Sequence, residues 1–577
     1  MIPTIVEKDS QLPKLIGADI ELANFILGAS CPDGTFREAS RAVLAEIEGL
    51  PSDVSSRTGW SPCVTQSGFR GHHGNLGYYA DQERGVCDGG FRLDTQDWGR
   101  KFLSSNSGCA YIDLDHLELC VPETLSAYSH VACWHAMLRI ARRALRAANQ
   151  NQPPGRRIQV HVNNSDGMGN SYGSHVNFLI TRRAWDNIFE RKLHLLLWLA
   201  SYQVSSIIFT GGGKVGSEDD EAETTFQLSQ RADFYKTLVG PRTTFDRPLV
   251  NSRDEALCGS GHNFKDPDRG VLQEMARLHV IFFDNTLCHV STLLKVGVMQ
   301  ILLAQIEAER IKPNLILDDP VHAVKSWSRD PTLKTRARLT SGEELTAVEL
   351  QFLFLEEARK FVEQGHCDGI VPHASDILSL WEDTLLKLQA RDFAGLAGRL
   401  DWVLKWRILN RAMQQQEDLR WGNPKIKHLE HLYSSLDEEE GLYWAYEKSG
   451  ALERLATDAQ VDWFTENPPE DSRAWTRAML LRAANPGVVD DVGWDFIRFK
   501  FRDGYWFRCR RIDLANPLAY TKALAEPVFK HAAQLDELID ALGELGSMDV
   551  CEPVQVQGKN AKPVVQRGDY NEFPGTI

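Results

Sequence analysis

The chain has 577 residues, 43% of them hydrophobic and 25% charged, which is typical of a folded protein rather than a disordered one. Its length exceeds what one hydrophobic core normally fills, so we expect a large domain and a smaller one. A formal net charge of -15 argues against general binding to nucleic acid or to an anionic membrane, since both polyanions would repel such a surface.

The start of the chain, its apolar runs and its cysteines favour a cytoplasmic protein. The first residues lack the basic and then apolar regions of a signal peptide. The longest apolar run, 193–209, is interrupted by serines, and we interpret it as a buried helix that leads into a strand, with no membrane partner. Eleven cysteines without a CxxC pair indicate reduced thiols rather than a disulfide framework or a zinc site.

Hydrophobic periodicity changes along the chain from the two-residue period of strands to the spacing of helices. Strand signals mark short segments in the first part of the chain: 15–25, 109–121, 159–162, 176–181 and 206–210. Helical spacing marks longer segments that follow: 349–364, 375–388, 396–415 and 526–545. Strands followed by helices predict an α+β fold.

Turn-rich segments divide the chain. Residues 49–107 are rich in Gly, Ser, Asp and Arg and form a segment too long for an ordinary connection, so we predict a long loop there. The sequence WGNPK at 421–425 follows a helical region and marks the entry to a further domain. We predict a large domain over 1–415, a smaller C-terminal domain over 416–547 and a flexible tail over 548–577.

Two acidic residues share one face of the first predicted strand. Asp19 and Glu21 in GADIELANF stand two positions apart, so both carboxylates project to the same side. Two carboxylates aimed together indicate a divalent cation. The alternative is the exposed polar face of an edge strand.

A second acidic group lies in YIDLDHLELCVPE. Its members recur in and just after another strand: Asp113, Asp115, Glu118 and Glu123. Acids this close would repel each other unless cations or protons intervened. Magnesium together with ATP phosphates is the cation that this pattern favours, because magnesium prefers carboxylate oxygens and keeps phosphate and water as further ligands. A solvated acidic strand is the alternative.

The segment HVNNSDGMGNSYGSHVNFL places a turn-rich stretch, 164–174, between two strands and brings His175 onto the second strand. Small residues in the turn permit a close backbone approach to a ligand. The neighbouring acids favour His175 as a metal ligand, and a structural histidine is the alternative.

Three cations lie near glycines or loop residues farther along. Lys214 follows the glycine run of FTGGGKVG, and Arg231 and Arg253 lie in FQLSQRAD and LVNSRDE. Glycines and cations together suit triphosphate binding. The run is not a Walker loop, since no Ser or Thr follows the lysine at the required position. Structural ion pairs of the arginines with Asp233 or Asp254 are the alternative.

Four arginines form a basic stripe at helical spacing: Arg139, Arg142, Arg143 and Arg146. Such a stripe on an acidic chain could dock an acidic partner. A solvated helix face is the interpretation that we favour.

Taken together and in this order, these segments resemble the family of the Pup ligase and the Pup deamidase/depupylase, which belongs to the glutamine-synthetase-like carboxylate-amine ligases. The resemblance covers residues 14–500. The stretches that carry it include NNSDGMGNSYGSHVNFL, FQLSQRAD, NSRDE, RLHVI, STLLKVG, VHAVKSWSRDP and NPPEDSRAWTR. The RTGW segment, the spacing from Asp113 to Glu118 and VHAVKSWSRDPTL look more like the deamidase branch.

The resemblance implies an antiparallel sheet that forms a cradle for ATP and Mg²⁺, helices behind it and a small C-terminal domain. Asp113 would match the catalytic aspartate. Positions that would match metal or nucleotide contacts are Asp19, Glu21, Glu118, His175 and His279, with Lys214, Arg231 and Arg253 near phosphate. The implied partner is a Pup-like small protein modifier together with modified proteins.

The family pattern is not complete in this chain. Asp19 stands where the family has Glu, Val176 follows His175 in place of Glu, and His289 stands before Ser291 in place of Glu. Loss of carboxylates would remove negative charge from a cation site. We expect an ATP-dependent hydrolase that acts on a modifier's C-terminal Gln amide or isopeptide bond. The alternatives are an isopeptide ligase, and a diverged relative with another substrate or only a binding role.

Overall fold

The computed structural model describes residues 11–30, 35–51, 98–167, 169–255, 257–258, 274–503, 506–532 and 534–546. Most of the predicted long loop at 49–107 and the whole predicted tail at 548–577 lie outside these residues.

The strands that the structure describes are β1 Ile16–Leu27, β2 Leu50–Pro51, β3 Trp98–Phe102, β4 Cys109–Asp113, β5 His116–Thr124, β6 Arg157–His161, β7 Ser174–Thr181, β8 Lys214–Val215, β9 Phe226–Gln227, β10 Tyr235–Gly240, β11 Arg247–Asn251, β12 Met275–Val280, β13 Arg336–Arg338, β14 Glu344–Thr346, β15 Val489–Val492, β16 Phe496–Asp503 and β17 Trp506–Asp513.

The α-helices among the same residues are α1 Phe36–Ala45, α2 Ala127–Gln150, α3 Arg182–Asp186, α4 Leu193–Thr210, α5 His289–Glu307, α6 Pro320–Ser328, α7 Ala347–Glu363, α8 Ala374–Ala390, α9 Phe393–Leu396, α10 Asp401–Gln415, α11 Pro424–Tyr433, α12 Leu442–Lys448, α13 Asp458–Glu466, α14 Arg473–Ala483, α15 Lys522–His531 and α16 Leu535–Gly546.

Eight strands form the main sheet, in the order β12-β7-β1-β5-β4-β3-β2, with β6 also paired to β1. Neighbouring strands in this sheet are antiparallel. Strict alternation on the central strand β1 buries Ile16, Ala18, Ile20 and Leu22 on one face and leaves the intervening residues half-buried on the other. The sheet therefore has an apolar face covered by helices and a second face that carries polar side chains, which confirms the predicted α+β class.

Two apolar helices fill the core behind the sheet. Helices α4 and α5 are long and apolar enough to cross a membrane, but 83% and 100% of their apolar windows are buried inside the fold. The predicted strand at 206–210 is wrong, because the chain stays helical to Thr210. The hydroxyls of this segment bond backward to carbonyls of the same helix, as Ser205 does to Ser201 and Thr210 to Ser206, so its polar groups are satisfied without a sheet.

A second hydrophobic core begins late in the chain. Its members come from α14, the three-stranded sheet β15-β16-β17 and the two last helices, and they pack on Phe102, Cys109, Tyr111 and Cys120 of the main sheet. Residues between Leu419 and Phe464 belong to the first core instead. The change of core thus comes after the boundary predicted at 416.

The basic stripe on α2 contacts acidic residues of the same chain. Its four arginines pair with carboxylates of 437–466: Asp458 and Asp462 for Arg139, Glu438 for Arg142 and Arg146, and Asp462 and Glu466 for Arg143. The Arg142 guanidinium also lies 4.6 Å from the centre of the Trp444 ring. The stripe is therefore neither a free solvated face nor a free docking surface, since it holds α13 and its neighbours on α2.

Candidate active site

The polar face of the main sheet gathers the carboxylates of the two acidic segments. Antiparallel pairing places Asp19 of β1 opposite Cys120 of β5, and Glu21 opposite Glu118. On the other side of β1, Asp19 lies opposite His175 of β7. These positions alternate with core residues along each strand, so one face receives side chains from neighbouring strands.

Three carboxylates meet at the centre of this face. Oxygens of Glu21, Asp113 and Glu118 all lie within 4.8 Å of one another. Glu118 is only 4% exposed, and its Oε1 accepts a hydrogen bond of 2.5 Å from the Tyr111 hydroxyl. Burial, and then the charges of Asp113, Asp19 and Glu21, raise the pKa of Glu118 well above its usual value. The cluster thus concentrates negative charge that a cation would stabilise.

A tight turn presents Asp113. Leu114 and Asp115 link β4 to β5 with positive φ angles of 46° and 77°, as in the type I′ turn of a two-residue hairpin. The Asp115 carbonyl accepts a hydrogen bond of 2.5 Å from the Ser40 hydroxyl, and its carboxylate lies 2.6 Å from Arg37 Nε. Asp115 therefore holds the hairpin against α1 and does not join the acid cluster.

Glu123 is also separated from the cluster, although the sequence grouped it there. The register between β1 and β5 shifts next to Ile16, and this irregularity directs Glu123 toward the C-terminal region. Its carboxylate lies 2.8 Å from Arg473 Nε and 2.6 Å from an Arg477 nitrogen. Burial alone would raise the pKa of Glu123, but the two arginines lower it to about 2.

Two histidines flank Glu21. The Nε2 atom of His175 lies 3.8 Å from Oε1 of Glu21, and the Nδ1 atom of His116 lies 3.8 Å from Oε2. Burial opposes ionisation of Glu21, but the neighbouring His116 and His175 lower its pKa to about 2. Burial lowers the pKa of His175. Both oxygens of Glu21 thus face imidazole nitrogens.

His279 is oriented through an amide. Asn177 donates from Nδ2 to Asp19 at 3.0 Å, and its Oδ1 lies 2.9 Å from Nδ1 of His279 and 2.9 Å from Arg277. With this oxygen as acceptor, the His279 ring carries its proton on Nδ1, which leaves a lone pair on Nε2. That nitrogen is buried and has no hydrogen-bond partner among the described residues. Burial and the charge of Arg277 lower the pKa of His279, so the ring stays neutral, as a metal ligand must be.

The three predicted phosphate contacts have different surroundings. Lys214 is fully buried, and its Nζ pairs with Asp233 at 2.9 Å and Glu218 at 3.0 Å. Arg231 is also fully buried and donates to backbone carbonyls, including that of Ile281. Arg253, by contrast, keeps 42% of its side chain exposed while it pairs with Glu255 at 2.5 Å.

The charged groups of Lys214 and Arg231 are already bonded within the protein. The charges of Arg231 and Arg253 nevertheless lower the pKa of His175, which places both near the metal-ligand candidates. Of the three, Arg253 has the exposure that direct contact with a phosphate requires.

A cleft of about 610 Å³ opens beside the acid cluster. Its walls are the polar edge of β1 and β7 on one side and the C-terminal region on the other, with Asp19, Asn177, Arg277, Arg473 and Trp494 among the lining residues. Most other lining residues are apolar, and the two arginines are paired with Glu123 and Glu255, so the indole of Trp494 on this apolar lining suits an aromatic ring of a ligand.

Comparison with known proteins decides the family. Residues 53–498 match the family described as Pup-ligase protein. The chain belongs to this family. The "Depupylase" of Acidothermus cellulolyticus is 34% identical over 454 residues, which cover 78% of this chain and 85% of that protein.

Solved structures of Pup ligases share the fold. A complex between the prokaryotic ubiquitin-like protein Pup and its ligase PafA superposes with a TM-score of 0.69 at 21% identity and covers 93% of both chains. The ligase PafA in complex with ADP gives a TM-score of 0.63 at 25% identity, over 77% of this chain and 89% of the other. The main sheet with helices behind it is therefore the glutamine-synthetase-like arrangement of the Pup-ligase family.

The departures from the family pattern at Val176 and His289 do not remove ligands from the acid cluster. Val176 is fully buried on the apolar face of β7, opposite Ala18 and Val280, whereas His175 projects to the polar face. The expectation that valine lowers the negative charge among the ligands is wrong, because its side chain points the other way.

His289 lies at the start of α5. Its Nδ1 accepts backbone hydrogen bonds from Leu455 at 3.1 Å and Ala456 at 3.2 Å, and its ring centre lies 4.2 Å from that of His135. Burial lowers the pKa of His289 to about 3. In this member of the Pup-ligase family the side chain anchors a loop, which corrects the expectation that it weakens cation binding.

Sequence patterns missed four residues on the strands of the polar face, Tyr111, His116, Asn177 and Arg277, and also Arg247 of β11, which contacts the turn before β7. Asn177 follows His175 by two positions on one strand, and His116 precedes Glu118 by two, so the two-residue period could have found both. Arg247 donates to the Ser171 carbonyl at 2.5 Å, and burial lowers its pKa to about 10. No local pattern distinguishes Arg247 or Arg277 from other arginines, because their roles depend on which strands pair.

Proposed function

We propose that this protein is an ATP- and Mg²⁺-dependent hydrolase that acts on the C-terminal Gln amide of a Pup-like modifier, or on the isopeptide bond between the modifier and a protein. The cluster of Glu21, Asp113 and Glu118 carries this proposal, in a chain whose relative of 34% identity is named a depupylase. A cytoplasmic location remains a prediction of the sequence.

The residues on the polar face fit a magnesium ion. Glu118 is a buried carboxylate surrounded by like charges, and the unpartnered Nε2 of His279 offers a neutral nitrogen near them. Asp19, Glu21, Glu118, His175 and His279 would hold the metal. Bound Mg²⁺ with ATP would supply positive charge and phosphate oxygens to the acid cluster.

The cleft beside the cluster is the proposed nucleotide site. Trp494 offers a ring on which a base can stack. Arg277 and Arg473 also line the cleft, but their charges are paired with Glu255 and Glu123. Arg253 is the preferred phosphate contact because of its exposure. Lys214 and Arg231 stabilise the surrounding fold and do not contact phosphate in this proposal, because their charged groups are already bonded within the protein.

Asp113 is the proposed catalytic residue. It ends β4 at the mouth of the hairpin, on the same face as Glu21 and Glu118. A carboxylate in that position can attack the amide carbon as a nucleophile, or accept a proton from an attacking water as a general base. The type I′ turn and the hydrogen bond from Ser40 to Asp115 keep this carboxylate in place.

The test incubates purified protein with ATP, Mg²⁺ and a Pup-like peptide that ends in Gln, and follows conversion of Gln to Glu by mass spectrometry. We expect product from the wild type and a loss of at least about 100-fold in Asp113→Asn. Asp115→Asn is the matched control, because that carboxylate pairs with Arg37 outside the cluster, and it should retain activity. An equally active Asp113→Asn variant would refute the catalytic role.

A ligase is the second candidate, because the ADP-bound structure that resembles this chain is a Pup ligase. The same protein is given a peptide that ends in Glu, an acceptor protein and ATP. Covalent conjugates that form together with stoichiometric ADP would identify a ligase. Nucleotide binding without either product would leave a protein that only binds.

A further inference from the structure

Two cysteines extend the row of side chains that crosses the polar face. Cys120 of β5 lies opposite Asp19 of β1, and on its other side it lies opposite Cys109 of β4. Asp19 in turn lies opposite His175 of β7. Register thus aligns imidazole, carboxylate, thiol and thiol across four adjacent strands, although the cysteines form no recognisable metal motif along the chain.

The donor atoms in this row are close and shielded from solvent. A carboxylate oxygen of Asp19, one of Glu118 and the Sγ of Cys120 all lie within 4.8 Å of one another. Cys109 is fully buried, Cys120 is 2% exposed, and the two residues lie opposite each other on neighbouring strands. This set differs from the Glu21, Asp113 and Glu118 cluster because it includes sulfur.

Sulfur changes which ion the position prefers. Magnesium binds oxygen ligands and keeps several waters, so a buried thiol offers it little. Zinc accepts thiolate, carboxylate and imidazole ligands together in a tetrahedral arrangement. A thiophilic divalent ion could thus take sulfur from Cys120 and oxygen from Asp19 and Glu118 at one position.

We propose that Asp19, Glu118 and Cys120 form a binding site for a thiophilic divalent cation, Zn²⁺ in the first instance, which overlaps the predicted magnesium position. Binding replaces the thiol proton of Cys120 by a metal–sulfur bond and releases that proton to solvent. Asp19 and Glu118 belong to both donor groups, so Zn²⁺ and Mg²⁺ would exclude each other there, and the sulfur ligand favours Zn²⁺.

The test uses full-length reduced protein without nucleotide or peptide, titrated with Co²⁺ as a spectroscopic substitute for Zn²⁺. We expect a near-ultraviolet charge-transfer band from sulfur to cobalt, which Zn²⁺ bleaches and excess Mg²⁺ does not. Cys120→Ser should abolish the band and weaken Zn²⁺ binding at least about tenfold. Cys509→Ser is the matched control: it removes an exposed thiol on β17 and should keep the band.

A wild-type protein without the band, or a band that persists in Cys120→Ser, would overturn the site and leave both cysteines as small apolar members of the second core. X-ray absorption at the zinc edge on the wild type needs no variant, and it should show sulfur at about 2.3 Å from zinc. A shell of oxygen and nitrogen alone would also overturn the proposal. Because neither experiment measures turnover, this site and the proposed hydrolase can fail separately.

Discussion

Tyr111 donates a hydrogen bond of 2.5 Å to Glu118, the most enclosed carboxylate of the acid cluster. This bond favours the charged form of Glu118 against burial and against the charges of its neighbours, all of which raise its pKa. The Tyr111 hydroxyl thus lies outside the cluster but favours the ionised form of Glu118 within it.

Tyr111→Phe removes that donor while keeping the ring. The pKa of Glu118 should rise further, so the ionised carboxylate is lost at a higher pH on acidification. We expect the acidic limb of the pH profile of kcat/KM to move to higher pH and Mg²⁺ affinity near neutrality to fall. A profile that coincides with the wild type would show that Glu118 does not need the bond.

Asn177→Ala removes the amide whose hydrogen bonds connect Asp19 to His279. Without the amide, the His279 ring loses the acceptor that holds its proton on Nδ1, and Asp19 loses a donor. We expect Mg²⁺ affinity, measured by calorimetry, to fall about 10–100-fold, because residues that orient ligands have effects of this size. Asn410→Ala, which removes only a bond to Trp406 within α10, should bind metal like the wild type.

Glu123→Gln tests the ion pairs between the sheet and the C-terminal region. Arg477 is fully buried and Arg473 is 4% exposed, so removing their carboxylate should lower the free energy of unfolding by about 3–5 kcal/mol. Glu466→Gln, an exposed partner of Arg143, should cost less than about 1 kcal/mol. Denaturant titration at neutral pH compares the two variants.

The same glutamate makes stability depend on pH. Its folded pKa, about 2, lies below its usual value of 4.5. The stabilisation is therefore complete above pH 4.5 and is lost as the pH falls toward 2. Glu123→Gln should remove this part of the acid dependence, and an unchanged slope of unfolding free energy between these pH values would contradict the assignment.

Arg142 and Arg146 provide a matched pair on the basic stripe, since both contact Glu438. The Arg142 side chain is 12% exposed and lies over Trp444, whereas that of Arg146 is 65% exposed. We expect Arg142→Ala to destabilise the protein by about 2 kcal/mol. Arg146→Ala should cost less than about 1 kcal/mol and lose its effect in high salt. Equal losses of unfolding free energy for the two variants in denaturant titrations would show that the burial of Arg142 does not strengthen its contacts.

Features that depend on the spacing of apolar residues within one segment could be predicted from the sequence. Alternation along β1 correctly placed Asp19 and Glu21 on one face, and helical spacing predicted 349–364 and 375–388 close to the observed Ala347–Glu363 and Ala374–Ala390. The predicted helix at 526–545 corresponds to two described helices, Lys522–His531 and Leu535–Gly546, since apolar spacing within each segment does not show where one helix ends and the next begins.

Features that depend on register could not be predicted in the same way. Pairing of the distant strands β1 and β5 brings His116 to Glu21, and neither strand encodes its partner locally. Glu123 resembles Glu118 in the sequence, but a shift in register sends it to the two C-terminal arginines. The arginine stripe on α2 likewise gave no sign that its acidic partners lie some three hundred residues later.

The polar face of the main sheet is also a wall of the second core, since Cys109, Tyr111 and Cys120 pack against residues of the C-terminal region. The C-terminal region therefore cannot be deleted to obtain a smaller enzyme without removing the residues that pack on these strands. Its removal would expose Cys109, Tyr111 and Cys120 on the strands that carry Asp113 and Glu118.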